Sequence, residues 1–103
     1  MTEFMLQASA FNRFINILSD RLDVISDRMD VVKKAISEYD FGGSASEDTK
    51  KSLASIGIQI PTDDNKAYKL LRDELKILVY MSQLISEEKK TFEMLFTPFY
   101  GND

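Results

Sequence analysis

From Phe4 to Tyr39, apolar residues recur at alternating steps of three and four. They occupy two positions of one heptad pattern: Ala8, Ile15, Leu22, Met29 and Ile36 at the first, and Phe4, Phe11, Leu18, Ile25, Val32 and Tyr39 at the second. Because this spacing brings residues to one face of a helix, and no Gly or Pro interrupts it, the pattern predicts a helix over about 4–40. Ile17, Val24 and Val31 lie beside the pattern and widen it towards the face of a helical bundle.

A second stretch, over about 64–96, shows the same spacing. Its main row consists of Tyr68, Leu71, Leu75, Leu78, Ser82, Ile85, Lys89, Phe92 and Phe96, and a second row adds Leu70, Ile77, Met81, Leu84 and Leu95. Around 77–81 the predicted helix is apolar on nearly every side, so it needs cover from several directions. Two helices of one hairpin cannot provide that cover, which favours a dimer or a larger complex.

An interhelix turn is predicted at Phe41, Gly42 and Gly43, because paired glycines allow the left-handed backbone that ends many helices. Ser44 stands three residues before Glu47, the spacing of a capping box that starts a helix.

The segments that follow predict a short helix over about 46–55, then an extended connector that closes on Pro61. Pro98 is expected to end the second long helix and to leave a tail at 97–103. The fold class is therefore all-α, in one domain over 1–103: an antiparallel hairpin of two long helices with a short helix between them, expected to complete a bundle by oligomerisation.

The composition narrows the function classes. With 103 residues and a net charge of −4, the chain is a poor candidate for binding nucleic acid or anionic membranes. It has no Cys and no His, so it lacks thiolate metal ligands and the commonest general base. The N-terminus has no basic segment of the kind that begins a signal peptide, and the longest apolar run, 77–81, is too short to span a bilayer. We expect a protein without membrane insertion that is cytoplasmic or is secreted independently of a signal peptide.

Three groups of residues could carry chemistry, and each has a simpler interpretation. The row Asp20, Asp23, Asp27 and Asp30 cannot converge on a calcium ion from a straight helix, and is typical of a solvated face. Glu87 and Glu88 are adjacent and diverge by about 100° on a helix, which is unfavourable for a catalytic pair. The aromatic cluster Phe92, Phe96, Phe99 and Tyr100 is more typical of a core or an interface than of a ligand site.

We therefore expect a non-enzymatic protein with no catalytic residue, no cofactor and no metal site, whose partners are protein helices. The predicted partner or oligomer interface consists of Leu18, Leu22, Ile25, Met29, Val32, Leu71, Leu75, Leu78, Met81, Ile85, Phe92 and Phe96.

The turn and the C-terminus together resemble a known family. A long helix that ends in Phe41-Gly42-Gly43, a second long helix and a short tail are similar to the WXG-type, early-secreted-antigen-like proteins of bacterial type VII secretion. Phe41 takes the position of the family's Trp and Gly43 that of its glycine. The ending from Phe99 to Asp103 reads Phe-x-x-x-Asp, similar to the export motif of the small targeting factors that accompany LXG toxins.

The resemblance implies an export partner: a helical hairpin that pairs with itself, with a related small protein or with the helical N-terminal domain of an LXG toxin. It implies secretion in the folded state without a cleaved signal, with Phe99 and Asp103 as candidate export-signal residues. Two alternatives remain open at this point. One is a self-assembling structural subunit of a secretion needle or a phage, and the other is a cytoplasmic chaperone or inhibitor that sequesters a helix.

Overall fold

Three helices make up the computed structural model, which describes the backbone of residues 2–100 and the side chains of residues 9–98. Helix α1 spans Thr2–Asp40, α2 spans Glu47–Ser55 and α3 spans Asp64–Tyr100. The described part of the chain contains no strand. The predicted all-α hairpin of two long helices with a short helix between them is confirmed.

The two long helices pack antiparallel along their heptad rows. Phe11 near the start of α1 stacks on Phe92 near the end of α3, with ring centroids 5.2 Å apart. At the other end of the hairpin the rings of Tyr39 and Tyr68 lie 6.3 Å apart, edge to face. The result is a rod of 61 × 20 × 17 Å. Such a thin rod has few layers of side chains, so positions beside the main rows stay partly exposed.

The core lies between the long helices and extends under α2. Its buried cluster consists of Ile25, Val32, Ala35, Leu53, Leu71 and Leu78. Leu53 comes from α2 and is fully buried. The isoleucines of the connector, Ile56, Ile58 and Ile60, pack against the same cluster, so the segment between the long helices is anchored along its length.

Helices α1 and α2 end in the same hydrogen-bond pattern. At the end of α1, Gly42 has φ +82°, its N–H donates to the Tyr39 carbonyl, and the Gly43 N–H donates to the Glu38 carbonyl. At the end of α2, Gly57 has φ +83° and takes the same place in the pattern. These are Schellman caps, which require a left-handed residue that glycine adopts without steric cost.

The helix cap of α2 differs from the prediction. The N-cap residue is Ser46, whose Oγ accepts from the Thr49 backbone N–H at 3.2 Å. Ser44 lies outside the helix, and its hydroxyl donates to Asp64 instead. Glu38 of α1 takes the part that a capping-box glutamate would play, because its carboxylate accepts from the Ser46 N–H and the Thr49 hydroxyl. A carboxylate 8 residues away in sequence is invisible to a local spacing rule.

Of the two ends of α3, only the start agrees with the prediction. Asp63 caps its start by accepting from the Lys66 N–H at 2.9 Å. At the other end the helix runs through Pro98 to Tyr100, so the expectation that Pro98 stops it was wrong. A proline in the last turn removes one hydrogen bond, but its fixed φ of about −65° is a helical value, so the turn survives.

Candidate docking groove

An apolar groove runs along one side of the hairpin. Its volume is about 700 Å³, and it is lined by Ile17, Asp20, Arg21, Val24, Ile25, Arg28, Glu74, Ile77, Leu78, Met81 and Ile85. Helix geometry explains its position, because the steps of three and four from Ile17 to Arg28 form one ridge of α1, just beside the buried row. A matching ridge of α3 runs from Glu74 to Met81. We call this hollow the docking groove.

The apolar side chains of the docking groove are substantially exposed. Val24 is 52% exposed and Ile77 is 54% exposed, and Ile17 and Met81 are also open to solvent. They lie beside the buried row of α1, which includes Leu18 and Ile25. A contiguous exposed apolar strip is characteristic of a protein interaction site.

The groove continues towards the open end of the hairpin. A second hollow of about 360 Å³ follows, lined by Phe14, Leu84, Glu87, Glu88, Thr91, Phe92 and Leu95. The ring of Phe92 lies 4.4 Å from that of Phe14 and 4.7 Å from that of Phe96. Phe14 and Phe92 of this aromatic cluster line the hollow.

Opposite charges border the two sides of the groove. Arg21 and Arg28 stand on the α1 side, with Asp20 beside them, and Glu74 stands on the α3 side. Glu87 and Glu88 extend the acidic side along the second hollow. Among the described side chains, the two arginines and three glutamates of these borders make no ion pair and no side-chain hydrogen bond. Their charges are available to a bound partner.

Helix α2 covers the C-terminal end of the α1 ridge that lines the groove. The ridge that carries Val24 and Arg28 continues through Val31 to Ala35 and Glu38. Ala35 is fully buried in the cluster that contains Leu53 of α2. Glu38 accepts hydrogen bonds from Ser46 and Thr49 at the start of α2, and these bonds, that from the Thr49 hydroxyl first, hold the pKa of its carboxyl below the usual 4.5. The groove is therefore the uncovered continuation of a surface that already binds a helix.

The twelve predicted interface residues differ in how far they are buried inside the hairpin. Five of them, Leu18, Ile25, Val32, Leu71 and Leu78, are buried inside the hairpin itself and are not accessible to a partner. Met81 and Phe96 are exposed, and the rest are partly buried: Leu22, Met29, Leu75, Ile85 and Phe92. For the five buried residues the interface assignment is corrected to the core, because the heptad row of each long helix is used by the other.

Four residues that line the groove or the second hollow are absent from the predicted interface, although the sequence pattern contains them. Ile17 and Val24 widen the heptad pattern of α1, and Ile77 and Leu84 belong to the second row of α3. The sequence pattern does not show that these two flanking rows lie on the same side of the hairpin.

The other predicted features lie away from the groove. Phe41 stands at the turn with 91% of its surface exposed, beside Gly42 and Gly43. The side chain of Phe99 and the whole of Asp103 lie outside the described residues. Of the acidic row, Asp23, Asp27 and Asp30 are exposed on α1, and Asp20 borders the groove.

Searches for metal sites and membrane spans give no candidates in the described residues. No group of three or more acidic, His or Cys side chains in that part of the chain is arranged to hold a metal ion. None of the described helices combines the length and the apolar character needed to cross a membrane. A scan against protein-family models, a search of curated proteins and a search of solved structures find no match to this chain.

Proposed function

We propose that this protein is a non-enzymatic partner protein that binds a helical segment of another protein in the docking groove. The observation that carries the proposal is the exposed apolar strip of Ile17, Val24, Ile77 and Met81 on two packed helices. Burying such side chains stabilises a complex by roughly 25 cal/mol per Å² of apolar surface before the costs of association.

Within that function, we propose a role in bacterial type VII secretion, as an exported partner or as a targeting factor and chaperone for a secreted toxin. This finer assignment rests on the resemblance of the turn at Phe41-Gly42-Gly43 and of the ending from Phe99 to Asp103. The hairpin fold is compatible with it, and the exposed Phe41 offers an apolar contact at the tip of the rod. The expected partner is the helical N-terminal domain of an LXG toxin.

The alternative of a polymerising subunit has less support. An open filament needs two different complementary surfaces on each subunit. The groove is one continuous surface on one side, whereas Phe41, Tyr80 and Met94 are exposed at separate places elsewhere. The alternative of a cytoplasmic chaperone uses the same groove and differs only in whether the protein leaves the cell.

Co-purification tests whether the groove binds the partner. The chain is co-expressed with an LXG-type helical domain, and Ile77→Asp is compared with Tyr80→Asp. Tyr80 is 62% exposed on the same helix but outside the groove, so it is a matched control. We expect Ile77→Asp to abolish co-purification while Tyr80→Asp retains it, with both variants equally helical by circular dichroism. Equal retention by the two variants would contradict the proposal.

Secretion tests the finer assignment. Deletion of residues 99–103 should leave the partner bound but stop the export of both proteins. If the truncated chain and its partner are still secreted at the normal level, the export role fails and the chaperone alternative replaces it.

A further inference from the structure

We infer that the docking groove takes one amphipathic helix of a partner chain, acidic along the edge that faces Arg21 and Arg28 and basic along the edge that faces Glu74 and Glu88. A second copy of this chain is not the occupant. The inference deepens the proposed function and rests on it, because it specifies the chemistry of the partner that the groove would bind.

The chain itself provides the precedent for a helix on this surface. On the ridge of α1 that forms one wall of the groove, Ala35 is buried and Glu38 is bonded to the start of α2. The next positions along the same ridge, Arg28 and Val24, have no such cover. A helix from elsewhere would extend the cover that α2 begins.

The length of the uncovered surface sets the length of the occupant. At 1.5 Å per residue, the wall from Phe14 to Arg28 is about 21 Å long and the wall from Glu74 to Leu95 is about 32 Å long. A helix of roughly 14–21 residues therefore fills the groove and the second hollow. Its apolar residues would repeat at steps of three and four, as in other helices that bind in grooves.

The charges along the walls set the polar edges of the occupant. The α1 wall carries Arg21 and Arg28 with one carboxylate, Asp20, and the α3 wall carries Glu74, Glu87 and Glu88. A helix lying between them meets opposite signs on its left and right edges. Complementary edges contribute specificity as well as affinity, because a like-charged edge is repelled.

A two-fold dimer that packs groove against groove is disfavoured whether the two rods lie parallel or antiparallel. With the two-fold axis along the rod, both copies of α2 would stand at the same end of the shared face, and a helix about 10 Å thick between the two hairpins there would hold their grooves apart. With the axis across the rod, α1 faces the α1 of the copy and α3 faces the α3 of the copy. Arginine edges then oppose arginine edges, and the glutamate edges oppose each other.

Designed peptides can measure this preference directly. Three labelled peptides of about 20 residues share a leucine heptad pattern and differ only at the edges: Glu on one edge and Lys on the other, Glu on both, or Lys on both. Uniform edges are the necessary controls, since a helix with mixed edges can satisfy both walls by reversing its direction. Binding to the full chain is measured by fluorescence anisotropy at low peptide concentration.

We expect the mixed peptide to bind about tenfold more tightly than either uniform peptide. The double variant Arg21→Glu with Arg28→Glu makes both walls acidic and should then prefer the peptide with two Lys edges. The control, Lys33→Glu with Lys69→Glu, changes the net charge equally at exposed positions outside the groove lining and should keep the original order. An unchanged order in the arginine variant would overturn the inference.

Cysteine cross-linking tests whether a second copy of the chain occupies the groove. The chain lacks Cys, so Val24→Cys and Ser26→Cys place single thiols in the groove and outside it. Disulfide-linked dimers that form rapidly and only with Val24→Cys would assign the groove to a second copy and overturn the inference.

If the peptides show no selectivity while the toxin domain still co-purifies and is exported, the inference alone fails. If selectivity holds but Ile77→Asp leaves the toxin domain bound, the groove has the inferred preference for a helix with mixed edges, but it is not the site that binds the toxin domain, and the proposed function fails.

Discussion

Replacing Leu53 by Ala tests the docking of α2 on the hairpin, on which the description of the groove depends. The Leu53 side chain is fully buried between the connector and the long helices. The substitution removes three carbon atoms, worth about 0.8 kcal/mol each on transfer from water, or about 2.4 kcal/mol together. The cavity that remains raises the expected cost to about 3–5 kcal/mol. For a chain of this size, that corresponds to a fall in Tm of at least about 12 °C.

The assay is urea and thermal unfolding followed by circular dichroism at the helical band, because the chain has no Trp for fluorescence. Leu84→Ala is the matched control, since the same atoms are removed from a side chain that is 47% exposed in the second hollow. We expect the control to lose about 1 kcal/mol or less. If the two substitutions cost the same free energy of unfolding, α2 does not pack on the hairpin through Leu53, and the groove is not the continuation of a helix-binding surface.

Three other substitutions test the hairpin. Because hydrogen bonds from Thr49 and Ser46 lower the pKa of Glu38 in the folded state, this group contributes stability above its unfolded pKa and loses it as the pH falls below about 4.5. Glu38→Gln should therefore be less stable than the native chain at pH 7 and approach it in acid, and parallel stability curves would contradict this. Gly42→Ala forces a side chain into φ +82° and should cost about 1–2 kcal/mol in urea unfolding, with no effect expected if the cap is wrongly placed. Leu78→Asp buries a carboxylate in the core and should abolish cooperative unfolding, whereas a folded variant would show that Leu78 is at the surface.

The sequence shows many of the apolar residues of the candidate site, but it does not show that they lie together. The flanking residues Val24 and Ile77 were recognisable as apolar positions beside the main rows, and both line the groove. Leu18 and Leu78, in contrast, were expected at an interface and are core residues. Heptad spacing shows that a row needs a partner helix, but it does not say whether that helix belongs to the same chain.

The sequence by itself determined the two long helices and the glycine turns, because these features depend on residues close together in the chain. Apolar steps of three and four specify α1 and α3, and Gly42 and Gly57 specify the turns that end α1 and α2. Only the tertiary structure decided what depends on distant residues. It gave the cap of α2 to Ser46 with help from Glu38, and it placed α2 over Ala35. It also brought two separate flanking rows to one side of the hairpin, because the relative rotation of two packed helices is set by contacts across their interface.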